Sequence, residues 1–146
     1  MAYRLLSSGV FVRTHDMSVP TILIIDDDKL IRWSMSMLLS RAGFRVREAA
    51  TGVGGLAAVH HGLADLVLLD IALPDQDGFS VLRGIRQVRP DLPVLMMTAD
   101  ATSDSAERAL RLGAQGHLDK PYDPAALQAA VRGALNSAAP PGQSAA

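Results

Sequence analysis

The 146-residue chain contains no cysteine, which excludes a disulfide framework, a thiolate metal site and a cysteine nucleophile. Aromatic residues make up only 4% of the sequence. No apolar run reaches the length of about 18 residues that a membrane-spanning helix needs. The formal net charge is −1 at pH 7, so the chain has no general attraction to nucleic acid or to an anionic membrane. The composition therefore predicts a soluble cytoplasmic protein that binds neither DNA nor membranes directly.

Length and composition predict one folded domain between two short ends. Residues 1–18 are predicted to be a disordered leader, because their apolar stretch is interrupted by Arg13 and His15 and lacks the cleavage site of a signal peptide. Met17 is an alternative true start, since it leads directly into the first long apolar run. Residues 19–137 are predicted to form the domain, and residues 138–146, which are rich in alanine and proline, to form a flexible tail.

Five apolar runs alternate with five helical patterns along residues 19–137. The runs at residues 21–25, 66–70 and 93–97 are continuous and rich in aliphatic side chains, which predicts strands buried on both faces. The run at residues 44–49 alternates and is predicted to lie nearer a sheet edge, and a short fifth strand is predicted at residues 115–118. Strands that alternate with helices predict an α/β fold in which helices cover both faces of a parallel sheet.

Polar residues stand where four of the predicted strands end. Asp26 and Asp27 follow the first strand, Asp70 ends the third, Thr98 follows the fourth and Lys120 follows the fifth. Because parallel strands end at the same edge of a sheet, these side chains are expected to converge. Converging carboxylates need a counter-charge, and their oxygens suit Mg²⁺. A site that combines carboxylates, a divalent cation, a lysine and a hydroxyl indicates phosphoryl chemistry.

Four motifs at these strand ends make the segment from Thr21 to Asn136 resemble the receiver domain (CheY-like) of response regulators in two-component signalling. The motifs are Ile24-Ile25-Asp26-Asp27-Asp28, Leu68-Leu69-Asp70-Ile71-Ala72-Leu73-Pro74-Asp75-Gln76-Asp77-Gly78, Met97-Thr98-Ala99 and Asp119-Lys120-Pro121. The resemblance implies a flavodoxin-like (βα)5 three-layer sandwich whose five-stranded parallel sheet has the order 2-1-3-4-5.

The resemblance also implies a role for each acidic residue of the site. Asp70 would be the phosphoacceptor, a carboxylate nucleophile that becomes an acyl phosphate. The expected cofactor is Mg²⁺, bound by Asp27 and Asp70, by Asp26 through a coordinated water, and by the backbone carbonyl of Ala72.

Two further residues are expected to act on the phosphoryl group. Lys120 would pair with its oxygens, and the peptide bond from Lys120 to Pro121 is expected to be cis. Thr98 would follow the phosphoryl group inward after transfer. The switch position three residues before the lysine, which is usually aromatic in receivers, is occupied by His117, a smaller and titratable ring.

Several other residues of these motifs are assigned structural roles. Asp28 is predicted to be the N-cap of the first helix rather than a metal ligand. Asp75 and Asp77 are predicted to be turn residues, since Asp-Gly is a turn signal. Trp33 is predicted to be a partly exposed packing residue, and an interaction anchor is the alternative.

The predicted function is a phosphorylation-dependent switch that takes its phosphoryl group from a sensor histidine kinase or a phosphotransfer protein. The chain is predicted to catalyse only its own phosphotransfer and dephosphorylation. The expected readout is the face of the fourth helix, the fifth strand and the last helix, around Arg108, Arg111, His117 and Asp119. This face would control a downstream protein partner or form a homodimer. The chain is either a stand-alone receiver or the receiver fragment of a transcriptional regulator.

Two other functions are compatible with parts of the sequence. Asp26 and Asp28 after an apolar strand fit the nucleophile motif of a haloacid-dehalogenase-type phosphatase, although the late acidic pair and the cap insertion of that fold are missing. A pseudo-receiver, which binds partners without accepting phosphate, would be expected to lack one of the five site residues, and this sequence has all five.

Overall fold

A parallel five-stranded sheet lies at the centre of the computed structural model, which describes residues 3–5, 11–13, 19–99 and 103–137. Its strands are β1 (Thr21–Ile25), β2 (Arg45–Ala49), β3 (Leu66–Asp70), β4 (Val94–Thr98) and β5 (Gly116–Asp119). The helices of the described residues are α1 (Lys29–Arg41), α2 (Gly52–His60), α3 (Gly78–Val88), α4 (Ser103–Arg111) and α5 (Pro124–Ser137). The strand order β2-β1-β3-β4-β5, with every neighbouring pair parallel, confirms the expected order 2-1-3-4-5.

Helices cover both faces of the sheet, because successive residues of a strand point to opposite sides. In β1, Leu23 and Ile25 contribute to one core with α2, α3 and α4, whereas Ile22 and Ile24 contribute to a second core with α1 and α5. The strands β3 and β4 are buried along their whole length. This arrangement confirms the three-layer sandwich and explains the continuous apolar runs, since neither face of a central strand meets water.

Helix α2 lies so close to its neighbours that two of its glycines leave no room for a side chain. A Cβ at Gly55 would come within 2.3 Å of Ile25 Cδ1, and a Cβ at Gly52 would come within 2.8 Å of the Gln76 and Val81 side chains. Each glycine lowers helix propensity by about 1 kcal/mol relative to alanine. The glycines of α2 therefore lower its intrinsic helix stability but allow it to pack closely against β1 and the loop that follows β3.

Aspartates cap three of the described helices at their own N-termini. Asp123 caps α5, where it accepts a hydrogen bond from the Ala126 N–H at 3.0 Å. Asp28 accepts hydrogen bonds from the N–H groups of Leu30 and Ile31 at 2.9 and 3.2 Å, which confirms its predicted role as the N-cap of α1. Asp77 is the N-cap of α3 and accepts from the Ser80 N–H at 3.0 Å. The turn residue predicted at Asp77 therefore has a further role, because its side chain satisfies a free amide of the first helical turn.

Residues Tyr3–Leu5 and Phe11–Arg13 form a separate two-stranded antiparallel sheet. The prediction of a disordered leader at residues 1–18 did not include this pairing, although tyrosine, phenylalanine and valine favour strands. The alternative start at Met17 and the tail at residues 138–146 lie outside the described residues and stay predictions. Among the described helices, none combines the length and the apolar composition that crossing a membrane requires.

Candidate functional site

The carboxyl ends of four strands bring the predicted site residues to one edge of the sheet. Asp26 directly follows β1, Asp70 and Thr98 are the last residues of β3 and β4, and Lys120 directly follows β5. The register of the parallel strands aligns these ends, with Thr98 of β4 level with Asp119 of β5. The sheet topology therefore gathers residues that are widely separated in the sequence.

Lys120 joins two buried carboxylates at this edge. Its Nζ donates a hydrogen bond to Asp26 Oδ2 at 2.7 Å and lies 3.1 Å from Asp70 Oδ2. The exposed fractions of the side chains are 14% for Lys120, 0% for Asp26 and 7% for Asp70. A buried carboxylate without a partner is strongly unfavourable, so the lysine cation stabilises both acids in this place.

The two acids and the lysine change one another's proton affinity. Burial and the neighbouring charge of Asp26 raise the pKa of Asp70, and the opposing interactions with Lys120 and with the Ala72 N–H do not cancel this effect. Burial acts to lower the pKa of Lys120, but its hydrogen bonds to Asp26 and Asp70 and the negative charges of these two acids together outweigh burial, so that its pKa is raised. Lys120 therefore stays charged at neutral pH, and the carboxylate of Asp70 is more basic than that of an ordinary aspartate.

A third carboxylate completes a group that fits a divalent cation. One oxygen from each of Asp26, Asp27 and Asp70 lies within 4.8 Å of the other two, and Asp27 is exposed. Carboxylate oxygens are the ligands that Mg²⁺ prefers, and an exposed side leaves room for the waters that Mg²⁺ retains. Ala72, the predicted source of a carbonyl ligand, is exposed on the loop after Asp70 and donates its N–H to Asp70 Oδ1 at 3.2 Å. The donor set therefore fits Mg²⁺.

Thr98 and Lys120 are linked through the backbone. The Lys120 N–H donates to the Thr98 carbonyl oxygen at 2.7 Å, and Thr98 is only 7% exposed. The Lys120–Pro121 peptide bond is cis, as expected. A group attached to Asp70 on β3 would therefore have Thr98 on the adjacent strand β4 and Lys120 just after the end of β5.

His117 lies on the surface of the edge strand β5. Its side chain is 37% exposed, and its Nε2 lies 3.7 Å from Asp119 Oδ1. Together with Gln115 and Gly133, it lines a groove of about 350 Å³ between β5 and α5. The imidazole therefore belongs to the face where the readout was predicted.

Arg108, another residue of the predicted readout, contacts α3. Its guanidinium carbon lies 4.2 Å from the ring centroid of Phe79 in α3, a cation–π contact. The next residue, Ala109, is the buried contact of α4, so Arg108 is turned toward α3 rather than toward α5. The readout role predicted for Arg108 stays a prediction.

Helix α1 carries an exposed apolar stripe that sequence analysis missed. Leu30, Trp33 and Met37 are 72%, 58% and 37% exposed, and their spacing places them on one side of the helix. Trp33 and Met37 line a groove of about 370 Å³, together with Tyr122 and with Pro124, the first residue of α5. Trp33 is partly exposed, as predicted, and it lines this groove.

Two side chains of α1 connect this helix to the site. Arg32 donates to the Asp26 carbonyl oxygen at 2.7 Å and to Glu48 Oε1 at 3.3 Å. The hydroxyls of Ser34 and Tyr122 share a hydrogen bond across 88 residues of sequence. Neither contact has a local sequence signal, because each joins residues that only the fold brings together.

Residues 22–132 match the family model described as the response regulator receiver domain. The chain is 43% identical over 122 residues to the transcriptional regulatory protein GltR of Pseudomonas aeruginosa, a match that covers 81% of this chain and 50% of that protein. It is 38% identical over 125 residues to the DNA-binding transcriptional regulator NtrC of Azospirillum brasilense, covering 86% of this chain and 26% of that protein. The chain thus spans half or less of the length of these relatives.

Solved structures give the same comparison. The response regulator receiver domain protein (CheY-like) from Methanospirillum hungatei is 32% identical to the chain and superposes with a TM-score of 0.79, covering 82% of this chain and 96% of that one. The structure of NtrX from Brucella abortus is also 32% identical, with a TM-score of 0.78, and its match covers 82% of this chain and 28% of that chain.

Proposed function

Because the chain belongs to the response regulator receiver domain family, we propose that it is a phosphorylation switch in which Asp70 accepts the phosphoryl group. The observation that carries this proposal is the position of the Lys120 amino group, 2.7 Å from Asp26 and 3.1 Å from Asp70 at the sheet edge. Family membership also sets aside the phosphatase alternative. Catalysis by this chain is then limited to its own phosphorylation and dephosphorylation.

The proposed reaction is an in-line attack of an Asp70 carboxylate oxygen on the phosphorus of a phosphohistidine. The O–P bond to Asp70 forms, the P–N bond breaks, and the imidazole leaves with a proton from solvent. Lys120 exchanges its contact with Asp70 for the phosphoryl oxygens, and Thr98 donates its hydroxyl to one of them. Asp26, Asp27 and Asp70 would hold Mg²⁺, with the carbonyl of Ala72 as the predicted fourth ligand. When bound, Mg²⁺ supplies positive charge that offsets the negative charge of the phosphoryl oxygens.

Phosphorylation must change the population of two conformations. Moving the ratio from 1:99 to 99:1 needs a preference of about 5.5 kcal/mol. New charge-assisted hydrogen bonds from Lys120 and Thr98 to the phosphoryl oxygens would stabilise the active conformation. They would form in a site that is largely buried. The proposed readout is the face of α4, β5 and α5, which includes Leu110 at 55% exposure, Arg111 and His117.

His117 replaces the larger aromatic ring expected at the switch position. We expect activation to proceed through a shift of the β5 backbone, with little contribution from this ring. Replacing His117 by tyrosine should then change the affinity of the phosphorylated protein for its partner very little. A large gain in affinity would show that the ring itself limits the switch.

The phosphodonor has to place a phosphohistidine against the sheet edge, so its docking surface must adjoin that edge. The stripe of Leu30, Trp33 and Met37 begins two residues after Asp28. Its Trp33 and Met37 line a groove that reaches Pro124 at the start of α5. Large exposed apolar side chains, tryptophan above all, mark protein interaction sites. We therefore place the histidine kinase or phosphotransfer protein on α1.

The proposal is tested by incubating the chain with acetyl phosphate and Mg²⁺ and measuring its intact mass. Wild-type protein should gain the mass of one phosphoryl group, whereas Asp70→Asn protein and wild-type protein with excess chelator should gain none. A phosphoryl group on the Asp70→Asn variant would assign the acceptor elsewhere. A wild-type chain that gains nothing would favour the pseudo-receiver alternative.

The output of the switch lies beyond this chain. Its curated relatives are transcriptional regulators that are at least twice as long as the matched region, so DNA binding by a linked or separate output partner is part of the proposal. A cytoplasmic location is proposed as well, because the kinase that charges the phosphodonor consumes ATP.

A further inference from the structure

Asp75 lies in the loop between β3 and α3, yet its side chain binds a different element. Its Oδ1 accepts from the Gly52 N–H at 2.9 Å, and its Oδ2 accepts from the Val53 N–H at 3.0 Å. These two amides begin α2, so the carboxylate caps that helix from 22 residues away in the sequence. Its prediction as a turn residue missed this contact. The two hydrogen bonds lower the pKa of Asp75, which keeps it ionised opposite the positive end of the helix dipole.

Helix α2 already has a cap of its own. Thr51 is its N-cap residue and accepts from the Gly54 N–H at 3.0 Å. Asp75 therefore adds two bonds to the N-terminus of α2, but its more distinctive effect is on the loop. Because a hydrogen bond restrains both of its partners, Asp75 restrains its own loop as well as α2.

The loop is held at its base as well. The Gly78 N–H donates to the Ile71 carbonyl oxygen at 2.6 Å, and Ala72 pairs with Asp77 as an isolated bridge. At the tip of the loop, Asp75 makes two hydrogen bonds that attach it to α2. The absence of a side chain at Gly52 lets the tip approach α2, because a Cβ there would lie 2.8 Å from the Gln76 side chain.

We propose that Asp75 is a positioning residue for phosphorylation, which fixes the loop after Asp70 so that the carbonyl of Ala72 is held toward the metal. This inference rests on the proposed function, since it assigns Asp75 a part in the same Mg²⁺ and phosphoryl site. Asp75 itself contacts neither the metal nor the phosphoryl group. It acts by restricting the backbone between Asp70 and α3, as groups that orient metal ligands do elsewhere.

The test compares Asp75→Ala with Thr51→Ala, a matched control that removes a cap of the same helix without touching the loop. Mg²⁺ affinity is measured by titration calorimetry, and amide hydrogen exchange is measured on the metal-free proteins. For Asp75→Ala we expect the Mg²⁺ dissociation constant to rise on the order of tenfold, with faster exchange in residues 71–77. For Thr51→Ala we expect unchanged Mg²⁺ affinity, and faster exchange confined to α2. Asp75→Asn, which keeps one acceptor oxygen, should recover part of the affinity.

The outcomes separate this inference from the function on which it rests. If wild-type protein binds Mg²⁺ and accepts phosphate, but Asp75→Ala and Thr51→Ala bind Mg²⁺ with equal affinity, the inference alone is overturned. A wild-type protein that neither binds Mg²⁺ nor accepts phosphate would overturn the proposed function together with the inference. Loop exchange that is unchanged in Asp75→Ala would show that the base contacts suffice to hold the loop.

Discussion

Replacing Lys120 by methionine removes the cation between Asp26 and Asp70 but keeps a side chain of similar length. The three side chains are 14%, 0% and 7% exposed, so solvent screens their interaction weakly. Removing one partner of a buried ion pair costs about 3–5 kcal/mol. Because Asp70 can take up a proton instead of remaining charged, we expect the lower end, about 3 kcal/mol at neutral pH. For a domain of this size that is a decrease in Tm of about 6–12 °C.

The loss should depend on pH in a defined direction. Without the lysine, the pKa of Asp70 rises further above its value in the unfolded chain, because only burial and the charge of Asp26 remain to act on it strongly. An acid whose pKa is higher in the folded state destabilises that state at high pH, and the penalty disappears as the pH falls below the unfolded pKa. The difference in Tm between wild type and Lys120→Met should therefore shrink from neutral pH to about pH 4.

The assay is thermal unfolding followed by circular dichroism at several pH values, with and without Mg²⁺. Mg²⁺ should narrow the difference, since it supplies positive charge to the same carboxylates. Lys29, the other lysine of the chain, is exposed, and Lys29→Met should change the free energy of unfolding by no more than about 0.5 kcal/mol. A difference in Tm that stays constant from neutral to acidic pH would refute the electrostatic account and indicate lost packing instead.

Four other variants test the charge of Asp70, the exposed stripe of α1 and the packing of two helices. Asp70→Asn should raise Tm at neutral pH, because the raised pKa of Asp70 means that its charge opposes folding. The gain in Tm should vanish at a pH near the unfolded pKa of about 4. An equal gain at neutral pH and near pH 4 would contradict a destabilising charge at Asp70. Trp33→Ala should leave Tm and the acetyl phosphate rate nearly unchanged but slow phosphotransfer from a phosphorylated histidine kinase, and slowing with both donors would exclude a docking role. Gly55→Ala should destabilise the fold by about 1–3 kcal/mol, since a Cβ would lie 2.3 Å from Ile25 Cδ1. Gly133→Ala in α5, where a Cβ meets nothing within 4 Å, should stabilise it by about 0.5–1 kcal/mol, and chemical denaturation that gives both variants the same sign would refute the packing argument.

Much of the fold could be predicted because its signals are local. The runs that became β3 and β4 are apolar without interruption, and a strand buried on both faces requires this pattern. The cap at Asp28 depends on amides two and three residues ahead. The convergence of Asp26, Asp70 and Lys120 could also be predicted, because a parallel sheet brings the ends of its strands to a common edge.

Other features depend on contacts that have no local signal. The exposed stripe that contains Trp33 and the contact of Arg108 with Phe79 depend on how each helix is rotated about its axis. That rotation is set by which side chains pack into the core. The hydrogen bonds between Asp75 and the N-terminus of α2 join two segments that only the folded sheet brings close together.

The sequence by itself determined which residue types stand at the ends of the strands, and thereby the kind of chemistry that the chain can perform. Only the tertiary structure decided how these residues act on one another: that Lys120 lies between two buried acids, that the pKa of Asp70 is raised, and that a distant helix holds the loop after it. The physical reason is that side-chain identity is a property of position in the chain. Burial, distance and charge coupling are properties of neighbours, and those neighbours here come from strands and helices up to 94 residues apart.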